Sequence, residues 1–338
     1  MPGTVAIIYN APDVSRYSNM GESKAVMGVM DEVKAAGKSL IELGYTVERV
    51  PLQPPLEAAY GRLRQIKADF IFNIFEGFDG QSETESFIAG YMDKLGLKYT
   101  GCPADVLALA LNKVKAREVM RACGILVPEY QVLTPATLAE FNLPYPVIIK
   151  PVAEDASHGI GPESVVADAA GLERQVVKIS QSYGGQALVE QFLDGREFNA
   201  TVMGNKELVV LPVSEITFSL PPGLPKVLTF AGKLEPKDPY YSGTKAVCPA
   251  EIDSGLRDSI ASTTLAAFKS LKCRAYARVD MRLDRDGRPR VLEVNPNPDI
   301  SPGYGAARQA RAAGMSYTRF IARIVALALE SEAYAPVN

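Results

Sequence analysis

Along the chain, short apolar runs alternate with longer stretches whose apolar positions recur every three or four residues, the signature of strands and helices taking turns. TVAIIYN at residues 4–10 predicts a first strand. A polar stretch with Ser15, Ser18 and Ser23 follows, then a helical pattern over 27–43 that Gly44 closes. YTVERVPL predicts a second strand, 56–66 a helix, and ADFIFNIF a third strand. Such alternation predicts an α/β unit, a small parallel sheet covered by helices. A further helix starting near Glu83, Glu85 and Phe87 leads to LGLKYTG and Pro103, which sets the end of a first unit at 1–105.

ALALNKVKAREVMRACG then reads as one helix stopped by Gly124, and VPEYQVL as an extended edge. VIIKP is a strand ending on Lys150 and its proline, AEDASHGIG a loop rich in small residues and expected to be mobile, and ESVVAD a strand. A helix over 172–180 and the strand of QALVEQFLDG complete a compact α+β unit, 106–193. The third unit, 194–338, is β-prone through EFNATVMG and KELVVLPVSEI, and then crosses a Pro- and Gly-rich stretch, PPGLPKVLTFAGKLEPKDPYYSG. A helix over 254–271 precedes AYARVDMRLDRDG and RPRVLEVNP, a predicted hairpin with its turn at 284–288. An amphipathic helix over 316–330 packs most simply on the body, and no internal repeat occurs.

Composition narrows the function classes. With 47% apolar and 22% charged residues the chain is globular, and its 338 residues suit two or three modules. It lacks an uncharged apolar run long enough for a transmembrane helix, and its first residues lack a secretory pattern, so a cytoplasmic location without membrane contact is expected. Thirty-six Lys and Arg against 39 Asp and Glu disfavour a nucleic-acid partner. Four dispersed cysteines without a CxxC pair fit a reduced chain, and a single histidine, His158, removes multi-histidine zinc sites.

Candidate chemistry collects in the hairpin. Glu293 and Asn295 are two apart in one strand and share a face; the turn brings Asp280 opposite them. Oxygen ligands converging in this way suit magnesium held partly through phosphate oxygens, with Leu292 and Val294 expected on the opposite apolar face. The alternative is a pair of solvated strand ends. Lys150, directly before the small-residue loop, is placed to reach phosphates that loop amides and Ser157 cover, although no GxxxxGK[ST] motif is present. A surface lysine beside a turn is the plain alternative. In LVEQFLDGREF, Glu190 could accept an adenine amino group, backbone groups at Gln191 and Leu193 could read the purine edge, and Glu197 could accept a ribose hydroxyl.

Taken in order, these features resemble the ATP-grasp superfamily and, within it, the D-alanine–D-alanine ligase family, over essentially the whole chain. The resemblance rests on YTG with the helix that carries Lys113, VIIKP with its loop, LVEQFLDG with REF, FAGK, KAVCPA, ARVD, LEVNPNP and ARAAGMSY. It implies an ATP-grasp fold behind an N-terminal parallel-sheet domain, the preATP-grasp unit. It further implies that Lys113 and Lys150 bind nucleotide phosphates and that the loop with Ser157 and Gly159 is a lid. Glu190, Gln191, Leu193 and Glu197 fall at the adenine and ribose positions, and Lys233 on a loop that closes over the phosphates. Asp280, Glu293 and Asn295 match the magnesium ligands of a site for two ions, with manganese as a substitute, and Arg278 matches the arginine that steadies a tetrahedral intermediate. The implied chemistry joins a small amino-acid or carboxylate donor to an amine acceptor through an acyl phosphate, and a homodimer through the first unit is the family expectation.

The pattern departs on the amino-acid side. Asn295, Pro296, Asn297, Pro298 and Asp299 stand where the family reads asparagine, threonine, serine, proline, glycine; Leu234 replaces a tyrosine after the loop lysine, for which Tyr240 or Tyr241 could substitute. Glu76, Gly77, Phe78, Asp79 and Gly80 occupy the neighbourhood of an expected histidine. A changed substrate is the expectation, with Asp299 and Glu76 favouring a cationic group if they face the cavity and ion pairs at a loop as the alternative. His158 falls in the lid and is not assigned as a general base. D-alanyl-D-alanine synthesis, a carboxylate kinase and a non-catalytic nucleotide-binding module are the competing readings.

Overall fold

In a computed structural model of the chain, the described residues are 3–11, 23–78, 81–154, 159–229, 232, 235 and 237–330, and in the first helix side chains are described from residue 29 onward. The first sheet places β1 (Thr4–Asn10) between β2 (Thr46–Leu52) and β3 (Phe70–Ile74), all parallel. The central β1 and its neighbour β3 are largely buried because both faces are covered, whereas β2 mixes exposed and buried positions as an edge does. One face packs on α1 (Ser23–Glu42) through Val33, Ala36 and Leu40. The other packs on α2 (Leu56–Leu63) and α3 (Thr84–Lys94) through Ala59, Leu63, Ile88 and Met92.

The segment expected as one helix is two. α4 (Ala104–Leu111) ends and α5 (Lys113–Ala122) begins at Asn112, whose ψ of 93° leaves the helical region. Its side-chain oxygen accepts the Lys115 amide at 3.0 Å, so Asn112 is the N-cap of the second helix. The break sets Lys113 in the first helical position of α5, where the helix end is positive.

The second unit is an antiparallel sheet in the order β4 (Tyr130–Leu133), β7 (Ala187–Gln191), β5 (Val147–Pro151), β6 (Val165–Val166), backed by α6 (Ala169–Ser182). VPEYQVL is therefore an edge, as expected. The third sheet runs β11 (Thr244–Val247), β10 (Ser214–Phe218), β8 (Glu197–Met203), β12 (Tyr276–Leu283), β13 (Pro289–Asn295), with β9 (Val209–Val210) also on β8. A one-turn α7 (Pro239–Gly243) precedes β11. On the sheet's apolar face, α8 (Ser254–Ser270) packs Ile260, Ala267 and Phe268 against Phe198, Ala200, Val202, Val279 and Met281.

Two helices follow the hairpin. α9 (Gly305–Ala312), which the sequence reading did not assign, lies over the polar face: its Gln309 Nε2 donates to the Asn199 carbonyl at 3.0 Å and to Asn199 Oδ1 at 2.7 Å. α10 (Tyr317–Leu329) returns to the first unit, burying Phe320, Ile321 and Ile324 in the same core as Val5, Ile7, Val33 and Leu40. Thr318 hydrogen-bonds Ser39 (3.3 Å) and Glu42 (2.7 Å) across that contact. The first and third units thus share cores, which fixes the first sheet against the hairpin. No single helix among the described residues is long and apolar enough to cross a membrane.

Candidate active site

The hairpin turn is built by Asp284, whose Oδ1 accepts the amides of Asp286 and Arg288, both at 2.9 Å. Beyond it Asp280 pairs directly with Glu293, and Arg278 with Asn295. The ladder then slips, because Met281 pairs with Val291 and leaves Leu292 as the extra residue of a bulge. The bulge corrects one expectation: the apolar face is formed by Val291 and Val294, both in the buried core, while Leu292 is only partly buried. Its carbonyl, displaced from the ladder, accepts Arg117 Nη2 at 2.8 Å.

On the other face the sheet presents a polar row. Arg278, Asp280 and Arg282 alternate along β12 and pair with Thr201, Asn199 and Glu197 of β8. Arg278 grips Asp280 with two parallel bonds, Nε to Oδ1 and Nη2 to Oδ2, each 2.7 Å, and Asn295 Nδ2 adds a third at 3.2 Å. Burial works against the charge on Arg278, and the Asp280 carboxylate overcomes it, so the guanidinium stays protonated. For Asp280, burial outweighs the pairing with Arg278, and the neighbouring Glu293 adds to it, so its carboxyl lies above the ordinary range. Two carboxylates and an amide facing one another are hard oxygen donors too few to complete a magnesium shell. Phosphate oxygens and water would have to supply the rest, which fits an ion that arrives with a nucleotide. Among the described residues no cluster of three acidic, histidine or cysteine side chains makes a self-sufficient metal site.

One lysine of the second unit reaches this row, and a second lies beyond it. Lys113 is 6% exposed; its ammonium donates to the Glu154 carbonyl and lies 3.8 Å from Glu293 Oε2. Lys150 at the end of β5 pairs with Glu190 Oε2 at 2.7 Å, and Glu190, 1% exposed, also pairs with Arg117. Burial alone would raise the Glu190 carboxyl, but Arg117 and Lys150 hold it below the usual range. Arg117 is a member the sequence reading missed. It is 1% exposed and also donates to the Lys113 carbonyl at 3.0 Å. Its position four after Lys113 in KVKAR, one helical turn on, is the signal that could have found it.

Further along the same face, Glu197 is held by Arg282, another unassigned residue. The Gln191 amide donates to the Glu129 carbonyl at 2.8 Å, and the Leu193 carbonyl accepts Arg282 Nη1 at 2.6 Å. Gly159 has φ of +73°, and a Cβ there would meet the Tyr183 ring at 3.0 Å, so glycine is required where the chain leaves the loop. Ser157, His158, Lys233 and Leu234 lie outside the described residues. Tyr240 is 1% exposed with its hydroxyl on the Pro225 carbonyl at 2.8 Å, whereas Tyr241 is exposed.

The divergent exit from β13 is tied to the first unit. Asn297 Oδ1 accepts the Cys102 amide at 3.0 Å and its Nδ2 donates to Glu85 Oε1 at 3.0 Å. It sits so close to Gly101, at φ +97°, that a Cβ there would lie 2.2 Å from Asn297 Oδ1. Next to it is a small cavity lined by Glu32, Asn73, Glu76, Tyr276 and Asn297. Burial, with Asp299 and Glu76 nearby, pushes the Glu32 carboxyl well up. Glu76 lines this cavity, and Asp299 is near enough to Glu32 to act on its charge.

Comparison with known proteins fits this arrangement. A family model described as "D-ala D-ala ligase C-terminus" matches residues 119–326. The chain belongs to the D-alanine–D-alanine ligase family. It is 31% identical to the D-alanine–D-alanine ligase of Methylobacterium radiotolerans over 85% of this chain and 89% of that one. It is 33% identical to the uncharacterised protein y4sG of Sinorhizobium fredii, over 84% and 79% respectively. The D-alanine–D-alanine ligase structure from Bacillus anthracis superposes with a TM-score of 0.74 at 20% identity, covering 96% of this chain and 97% of that chain, so the fold is ATP-grasp behind a parallel-sheet domain. Family membership makes the chain an enzyme of the ligase class, and implies ATP and magnesium as what it uses and small carboxylate and amine molecules as what it acts on.

Proposed function

We propose that this family member is a carboxylate–amine ligase that forms an amide or dipeptide through an acyl phosphate, with a substrate pair other than two D-alanines. The observation that carries the reading is the polar row itself. Arg278, Asp280, Glu293 and Asn295 share one face, Lys113 reaches Glu293, and Glu190 and Arg117 link Lys150 to Lys113, which gathers three cations beside two acidic groups.

Lys113 at the positive end of α5, and Lys150 at the end of β5, suit the phosphates of ATP. Two magnesium ions, or manganese in their place, held by Asp280, Glu293 and Asn295 would offset charge on the transferring phosphoryl group. Arg278, oriented by Asp280, is aimed to stabilise the oxyanion that develops when an amine attacks the acyl phosphate. With the Gln191 amide and the Leu193 carbonyl engaged, the Gln191 carbonyl and Leu193 N–H remain to read the purine edge, and Glu197 to take the ribose. Glu190, enclosed by Lys150 and Arg117, suits fixing the phosphate lysine better than reaching adenine. Ser157 and Lys233, with Gly159 anchoring the loop, complete the set by family likeness, as lid and closing-loop groups that exclude water from the acyl phosphate.

The changed-substrate reading rests on the acidic surroundings of Glu32, Glu76 and Asp299, which favour an ammonium or a basic side chain. The mechanism is tested with a donor carboxylate labelled with oxygen-18. One labelled oxygen is expected in the inorganic phosphate for each amide formed; phosphate without label would rule out an acyl phosphate.

A further inference from the structure

Arg282 is 4% exposed, although its side chain ends in a guanidinium. It lies two residues beyond Asp280 on the same face of β12, directly opposite Glu197 of β8. Nε and Nη2 both reach Glu197 Oε2, at 3.0 and 2.5 Å, which keeps Oε1 outside that contact. Nη1 donates to the Leu193 carbonyl at 2.6 Å, and Nη2 also donates to the Lys226 carbonyl. The rings of Phe192 and Phe218 flank the guanidinium, their centroids 5.4 and 5.6 Å from Cζ. One side chain thus joins the β7–β8 turn, the hairpin and the long loop after β10.

Burying a guanidinium among aromatic rings costs solvation that an apolar side chain of similar volume would not incur. Core packing alone therefore gives no reason for arginine here. The fork geometry does: it fixes a carboxylate and two carbonyls that belong to different segments. We propose that Arg282 is a positioning residue for the nucleotide's ribose, holding Glu197 so that Oε1 meets a ribose hydroxyl and keeping the Leu193 turn in register with the base. The proposal rests on the ATP reading of the site and adds to it the residue that sets selectivity for the sugar.

The test measures calorimetric binding of magnesium–ATP, 2′-deoxy-ATP and 3′-deoxy-ATP, without other substrates, to the wild type, Arg282→Met, Glu197→Gln and the double variant. The wild type is expected to favour ATP over the better-discriminated deoxy analogue by about tenfold, the worth of one charge-assisted hydrogen bond. Arg282→Met is expected to lose most of that preference, Glu197→Gln likewise, and the double variant no more than either alone. In turnover, Arg282→Met should raise KM for ATP with kcat nearly unchanged. Wild-type discrimination in Arg282→Met, or losses that multiply in the double variant, would overturn the assignment. Should Arg282→Met not fold, Arg282→Lys keeps the charge without the fork; it is expected to lose the preference too, and retention would equally overturn the proposal. A wild-type chain that binds no ATP would instead overturn the nucleotide reading itself.

Discussion

Replacing Glu293 by glutamine is expected to lower ATP-dependent phosphate release by at least about a hundredfold and to leave the fold intact. The side chain is a third exposed, and its nearest described cation, Lys113, keeps the Glu154 carbonyl as a second partner. Glutamine preserves shape and removes only the charge. What is lost is one of two carboxylates facing each other across β12 and β13, and an amide oxygen cannot replace it as a counter-charge to a divalent ion. Phosphate release at saturating nucleotide, with magnesium varied, checks this: the magnesium requirement should rise as the rate falls, while the melting temperature stays near the wild-type value. An unchanged rate would remove Glu293 from the metal site.

Arg117→Ala is expected to have the largest effect on stability, roughly 3–5 kcal/mol, because it leaves buried acceptors without their donor. Three elements meet at this guanidinium: Glu190 of β7, the bulged Leu292 carbonyl of β13 and the Lys113 carbonyl of α5. Glu190 titrates below the usual carboxylate range in the folded chain, so its contribution is present at neutral pH and is lost as pH falls through that lowered value. Urea unfolding at neutral and acidic pH should show a large difference between wild type and variant at pH 7 that shrinks under acid. A difference below about 1 kcal/mol at pH 7 would mean that the second and third units are not coupled through Arg117.

Much of this was legible because period-two and period-three patterns survive in the sequence. Asp280 opposite Glu293, with Asn295 alongside, followed from alternation and a turn whose residues announce it. The bulge at Leu292 carries no such mark: one extra residue shifts the alternation without changing composition, so Leu292 was assigned the place that Val291 holds. Asn112 was read as a helix interior because its cap to Lys115 competes with propensity only locally, and the outcome depends on where Lys113 must stand. α9 begins in a segment rich in small residues, glycine and proline, where its burial over Asn199, not its pattern, makes a helix. Arg117 and Arg282 lay at helical and strand spacing from residues already singled out, but their roles depend on partners from distant segments, which no local pattern reveals. Ser157 and Lys233 remain assignments by family likeness.

The central claim is that the nucleotide half of this site serves a ligation whose amino-acid half has changed. It is tested most directly by measuring phosphate release over a matrix of D- and L-amino acids, other small carboxylates and small amines, with mass analysis of each product. The account predicts that release requires a carboxylate and an amine together, and that the favoured pair yields an amide other than D-alanyl-D-alanine. Fastest turnover with D-alanine alone, giving its dipeptide, or a phosphorylated carboxylate formed without regard to any amine, would contradict it.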